Sequence, residues 1–159
     1  MIGKVKIRHL FLLAWLAALS TKAQVSSENY VQTTERISDT QVLSTTEYYD
    51  GLGRPFEMVE QKKTPDGANL IHLKEYDGLG RDWKTWLPVK DASDFLSISA
   101  ARSQGNNQYR DSHAFSLTEY DGSPLNRINT VEGVGAEWTS HTVKKDYLVN
   151  TSKYPLNCK

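Results

Sequence analysis

The chain is poor in the residues that would tie it down covalently or carry it across a membrane. Its 159 residues include one cysteine, Cys158. A single thiol excludes an internal disulfide framework, and with no second Cys nearby it also excludes a Cys-based metal site. No apolar run approaches the roughly 20 residues of a transmembrane helix; the longest is Leu10 to Leu19 (LFLLAWLAAL). A basic cluster is also absent from the rest of the chain. That argues against binding to nucleic acid or to an anionic membrane surface.

What stands at the start is a targeting pattern. Lys4, Lys6 and Arg8 precede the apolar run, and Thr21 and Ala23 supply small residues at a cleavage point. Residues 1–23 therefore read as a signal peptide, with Gln24 as the new N-terminus and residues 24–159 as the mature domain. An uncleaved anchor is the alternative. A lipoprotein signal is rejected, because no Cys follows the apolar run. The chain has 19 basic and 19 acidic side chains; four basic ones (Lys4, Lys6, Arg8, Lys22) lie in the leader, which leaves 15 against 19, a formal −4. The expected location is secreted or at the cell surface. The membrane is met only through the signal peptide during export.

The informative feature is internal repetition. Glu47-Tyr48-Tyr49-Asp50-Gly51-Leu52-Gly53-Arg54 recurs as Glu75-Tyr76-Asp77-Gly78-Leu79-Gly80-Arg81. A degenerate copy follows at Glu119-Tyr120-Asp121-Gly122-Ser123-Pro124-Leu125-Asn126-Arg127. Tyr suits a half-buried strand. Asp-Gly is a hairpin signal, since Gly tolerates positive φ and Asp bonds to nearby backbone. The second Gly allows a bulge, and Arg opens the returning strand. Its guanidinium is expected to reach Glu47 or Glu75 across the hairpin.

Strands are expected at Ser44 to Tyr49, Phe56 to Gln61, Leu70 to Tyr76 and Trp83 to Val89. Thr64-Pro65-Asp66-Gly67 turns between the two hairpins. Tyr30 to Ile37 precedes this meander as a further strand. A short helix capped by Asp94 follows, stopping at Gly105-Asn106-Asn107. Ala114 to Tyr120, Leu125 to Val131 and Thr139 to Val149 resume strand character. The expected class is mainly β: an antiparallel hairpin meander of YD-type repeats with one short helix.

These motifs resemble the RHS/YD-repeat superfamily, and the mature chain is similar to the N-terminal domain of unknown function that precedes RHS repeats in secreted bacterial proteins. The resemblance rests on Asn29-Tyr30-Val31, Tyr48 to Pro55, Thr64 to Gly67, Glu75 to Val89 and Ser123 to Arg127, in that order. It implies a place in a longer β-hairpin assembly of the kind that often encloses a toxin or effector, with this chain truncated at its C-terminus. It implies as partners further repeats in a longer chain, a second copy, or a cell-surface protein. Tyr49, Asp50, Gly51, Gly53 and Arg54, with Tyr76, Asp77, Gly78, Gly80 and Arg81, are then structural turn residues.

Enzymatic motifs are missing. His72, His113 and His141 lack metal-ligand spacing, and the turn aspartates do not make a calcium loop. No nucleophile elbow or phosphate loop is present. No catalytic residue, metal or cofactor is expected. Trp83, Trp86 and Trp138 offer a sugar-stacking surface, the basis of a carbohydrate-binding alternative; packing of the sheet or of an interface to the next repeat is the favoured role, because Tyr recurs in register with the turns.

The leader reading is checked by N-terminal sequencing of exported material. The expected first residue is Gln24; a mature species that keeps Met1 overturns it.

Overall fold

The computed structural model describes residues 28–148. The leader and Cys158 lie outside the described residues. Among the described residues, nine antiparallel strands form one sheet with one α-helix, the mainly β class expected. The strands are β1 (Asn29–Arg36), β2 (Val42–Tyr49), β3 (Pro55–Glu60), β4 (Asn69–Tyr76), β5 (Asp82–Trp86), β6 (Val89–Asp91), β7 (Phe115–Tyr120), β8 (Ile128–Glu132) and β9 (Val143–Lys144). Helix α1 spans Ile98–Tyr109. Neighbours in space are β1-β2-β3-β4-β5-β7-β8-β9, so the chain meanders almost without crossing.

The predicted single strand from Trp83 to Val89 is in fact two. Pro88 has no N–H to give to a ladder, and the strand breaks around it. β5 pairs with Lys74–Tyr76 of β4, and β6 pairs with Asn69–Ile71 of the same strand. Residues Leu70 and Ile71 also pair with β3, so β5 and β6 share the other edge of β4, end to end. The last predicted strand, Thr139 to Val149, shrinks to Val143–Lys144, because Ala136–Trp138 forms a 3₁₀ turn and the chain runs on to His141 by further turn bonds. Among the described residues, β1 and β9 are the two outer strands of the sheet.

Strand alternation sends Tyr48, Val59, Ile71, Leu73 and Trp86 to one face, where they form the core with Phe56, Val89, Ala101, Ala114 and Phe115. α1 covers that face. It is capped by Ser97, whose Oγ accepts from Ala100 N–H, and it continues to Tyr109 before Arg110 turns left-handed. Asp94 is not the cap: its Oδ1 accepts from Asn69 Nδ2, and its carbonyl accepts from Tyr48 OH at 2.6 Å. Gly105 does not stop the helix either. A Cβ there would meet Trp86 and Val89, each at 3.4 Å, so this glycine lets the helix lie close on the sheet. Tertiary packing thus overrides its low helix propensity.

Glu75, nearly buried, fixes α1 to β4. It accepts from Arg102 Nε at 2.8 Å and from Trp86 Nε1 at 2.7 Å. Arg102 also reaches its second oxygen. Glu57 has no such partner. It is 2 % exposed, its Oε1 accepts from Leu96 N–H at 3.0 Å, and its Oε2 has no hydrogen-bond partner. Burial pushes this carboxyl up from 4.5 to about 7, against the opposing pull of the Leu96 bond.

The folded state therefore holds the Glu57 proton more tightly than the unfolded chain. That stabilisation is complete below the unfolded value and is lost as pH rises through about 7. It amounts to about 3 kcal/mol. Chemical denaturation across this window is expected to show falling stability, and Glu57→Gln to flatten the fall. An equal slope in both proteins would place its origin elsewhere.

Candidate functional site

Three turns line one rim of the sheet, at the ends of β2, β4 and β7. In the first, Asp50 is the internal staple. Its Oδ1 accepts from Leu52 N–H at 2.9 Å and Arg54 N–H at 3.0 Å, and its Oδ2 accepts from Arg54 Nε at 2.8 Å. Gly53 N–H bonds to Asp50 O at 2.9 Å. Asp77 repeats every bond in the second turn, to Leu79, to Arg81 N–H and Nε, and from its carbonyl to Gly80. The backbone N–H of the arginine, before any other cause, holds each aspartate below the usual carboxylate range.

The arginines therefore do not cross the hairpin to Glu47 or Glu75, as expected from the sequence. Glu75 is already taken by Arg102 and Trp86, and Glu47 accepts from Tyr49 OH. Each arginine turns back to the aspartate of its own turn. The glycines also divide. Gly53 (φ 76°) and Gly80 (φ 80°) are left-handed, but Gly51 and Gly78 are not. The residue before the arginine carries the reversal, a left-handed bulge after a tight turn. In the third turn Asn126 takes that place with φ 52°; Asn is among the few non-glycine residues that enter this region readily. Asp121 binds Ser123 Oγ at 2.6 Å and lies 3.3 Å from Arg127 Nε.

Successive turns interlock. The Arg54 guanidinium lies 4.5 Å from the centroid of the Tyr76 ring, and Tyr76 OH donates to Pro55 O at 2.7 Å. One turn on, Arg81 lies 4.4 Å from the Tyr120 centroid, and Tyr120 OH donates to Asp82 O at 3.0 Å. Arg127 lies 5.2 Å from the Tyr147 centroid. Each arginine thus reaches forward, and Tyr76 and Tyr120 each reach back to the residue after the arginine that covers them. A guanidinium on an exposed ring contributes about 0.5–1 kcal/mol and a hydrogen bond a similar amount. The contact is close: a Cβ on Gly80 would fall 2.6 Å from Arg54 Nη1.

Every turn also lifts a leucine into solvent, two residues before its arginine. Leu52, Leu79 and Leu125 are 79 %, 78 % and 68 % exposed. The sequence marked the turns but not this apolar row; the recurrence of Leu at one offset from Arg was its visible signal.

The three tryptophans do not form one exposed surface, because Trp86 is withdrawn from it. Trp86 is buried beneath α1, packing on Phe115 at 4.7 Å between centroids. Trp83, the unpaired residue of the β5 bulge, lies partly exposed under Lys84 Nζ at 4.2 Å. Trp138 sits in the 3₁₀ turn beside His141. His72 meets Glu60 at 3.1 Å, and His113 stacks on Phe115 with its Nε2 3.5 Å from Glu132.

Fold and rim together define a mainly β module of interlocked Asp–Arg hairpin turns. The chain belongs to the family described as Domain of unknown function (DUF6443), which matches residues 20–149. No curated protein and no solved structure gives a significant match.

Substitution separates the glycines. Gly53→Val and Gly80→Val are expected to lower stability by more than about 1 kcal/mol each, the cost of a left-handed non-glycine. Gly80→Val should be the worse, because Arg54 must also move. Gly51→Val and Gly78→Val should be milder. Equal losses at all four positions in thermal melts would refute this division.

Proposed function

We propose that this chain is a non-enzymatic structural and interaction module, the N-terminal section of an exported protein built from RHS/YD-type repeats. The observation that carries the reading is the forward-reaching arginine. Successive turns sit two strands apart, roughly 10 Å at ordinary strand spacing. Each turn offers a guanidinium to the next and a ring to the one before. Repeat units of this kind bury surface only against their neighbours. Tyr147 fits the same scheme, a ring in the place where a further turn would supply one. The partners are then further hairpins of the same type, and the leader serves export to the cell surface or beyond. Enclosure of a toxin or effector by the longer assembly belongs to this reading through the resemblance in the motifs.

The carbohydrate-binding alternative has less support, since burial removes Trp86 from any stacking surface. A glycan array separates the two: sugar binding that is lost in Trp83→Ala would favour the alternative.

The interlock itself is tested by a double-mutant cycle on Arg81→Ala and Tyr120→Ala. The expected coupling is about 0.5–2 kcal/mol, with each single variant destabilised. Additive losses would mean that neighbouring turns are independent and would remove the basis for the module.

A further inference from the structure

The two outer strands of the sheet differ. β9 has two residues, and so short an edge is a poor template for pairing. β1 has eight residues, pairs with β2 without a bulge, and is exposed along its whole length. It contains no proline and no lysine, and its charges are confined to Glu35 and Arg36 at one end. Bulges, prolines and lysines are the devices by which natural sheets protect an edge; β1 has none of them.

The direction of its backbone groups follows from two bonds. Ile37 N–H donates to Gln41 O just past the strand, and Gln61 N–H donates to Ser44 O on the far side of β2. Antiparallel ladders alternate, so the odd-numbered residues of β1 bond to β2. Tyr30, Gln32, Thr34 and Arg36 then direct their N–H and C=O groups outward.

We infer that β1 pairs with β1 of a second copy about a two-fold axis at Gln32. An antiparallel partner must match outward groups with outward groups and keep each face continuous. With Gln32 opposite itself, Tyr30 faces Thr34 and Val31 faces Thr33. Glu28, just before the strand, then faces Arg36, and symmetry supplies this charge pair twice. Moving the axis to Thr33 sets Glu28 against Ser38 and Val31 against Glu35, and both charge pairs vanish. The backbone bonds supply the association, as in other strand additions, and the charges select the register. The strand is thus complementary to itself. This inference is independent of the repeat reading, which concerns the turns.

Cross-linking tests it on the purified chain in a Cys158→Ser background. Residues opposite one another in a hydrogen-bonded pair have Cα atoms about 5.5 Å apart, within disulfide reach. Gln32→Cys is expected to give a covalent dimer on mild oxidation, and Thr33→Cys none. Thr34→Pro removes an N–H that the monomer does not use, so it should melt like the parent at concentrations where both are monomeric, while light scattering at high micromolar concentration reports half the parent's mass. Arg36→Glu should weaken the dimer several-fold, and adding Glu28→Arg should restore it. A parent chain that remains monomeric at high micromolar concentration overturns the proposal. So does cross-linking at Thr33→Cys in place of Gln32→Cys, or an edge that pairs only with a different peptide.

Discussion

An arginine held by a carboxylate behind it and laid on an aromatic ring ahead of it sets the geometry of the rim. The carboxylate fixes the root of the side chain: Asp50 and Asp77 bind both the N–H and the Nε of their arginines. The ring fixes its tip. A planar, delocalised guanidinium can do both at once, presenting an edge to the carboxylate and a face to the ring, where an ammonium would offer only a point charge. The left-handed residue before the arginine is part of the same device, because it aims the arginine backbone at the aspartate. Change any of the three and the neighbouring hairpin loses its support.

Away from the rim, two buried carboxylates on one face of the sheet show opposite solutions to the same cost. Glu75 keeps its charge company with the Arg102 guanidinium and the Trp86 indole, and in doing so ties α1 to β4. Glu57 receives one backbone N–H and leaves an oxygen bare. Burial without a counter-charge favours the neutral form. Glu57 lies on the core face by ordinary alternation with Val59; the bulge at Tyr48 and Tyr49, where Pro55 pairs with Tyr49 and Glu57 with Tyr48, makes Phe56 the extra residue, and it is buried as well. Phe56 then meets Phe95 edge-on, a contact between the sheet and the loop before α1.

The strands and turns were legible because they are local events. Asp-Gly, Pro-Asp-Gly and alternating apolar residues act within a few positions of themselves, and the hairpins stand where those signals put them. What the sequence concealed depends on distant partners. Gly105 reads as a helix stop until Trp86 and Val89 are known to press on it. Asp94 reads as a cap until Asn69 and Tyr48 bind it instead. The arginines stand in the turns as expected but bind Asp50 and Asp77 in place of Glu47 or Glu75, since nothing in a linear reading shows that Glu75 is already held by a helix residue. Their forward contact with the next tyrosine spans 22 residues in one case and 39 in the other, from Arg54 to Tyr76 and from Arg81 to Tyr120. No periodicity announces a contact at two such different separations.

That irregular spacing bears on how such a chain keeps count. Tyr49 and Tyr76 are 27 residues apart, Tyr76 and Tyr120 44, yet the arginine-to-ring distances are 4.5 and 4.4 Å. The unit of measure is the row, not the residue. The surplus chain runs along β4 as β6, leaves the sheet as α1 and rejoins it as β7 beside β5. The third turn would stand on the opposite rim had β6 occupied a row of its own. It lies instead in line with β5 along β4, so the parity of the meander survives. Inserted chain is silent to this lattice when it adds no row of its own.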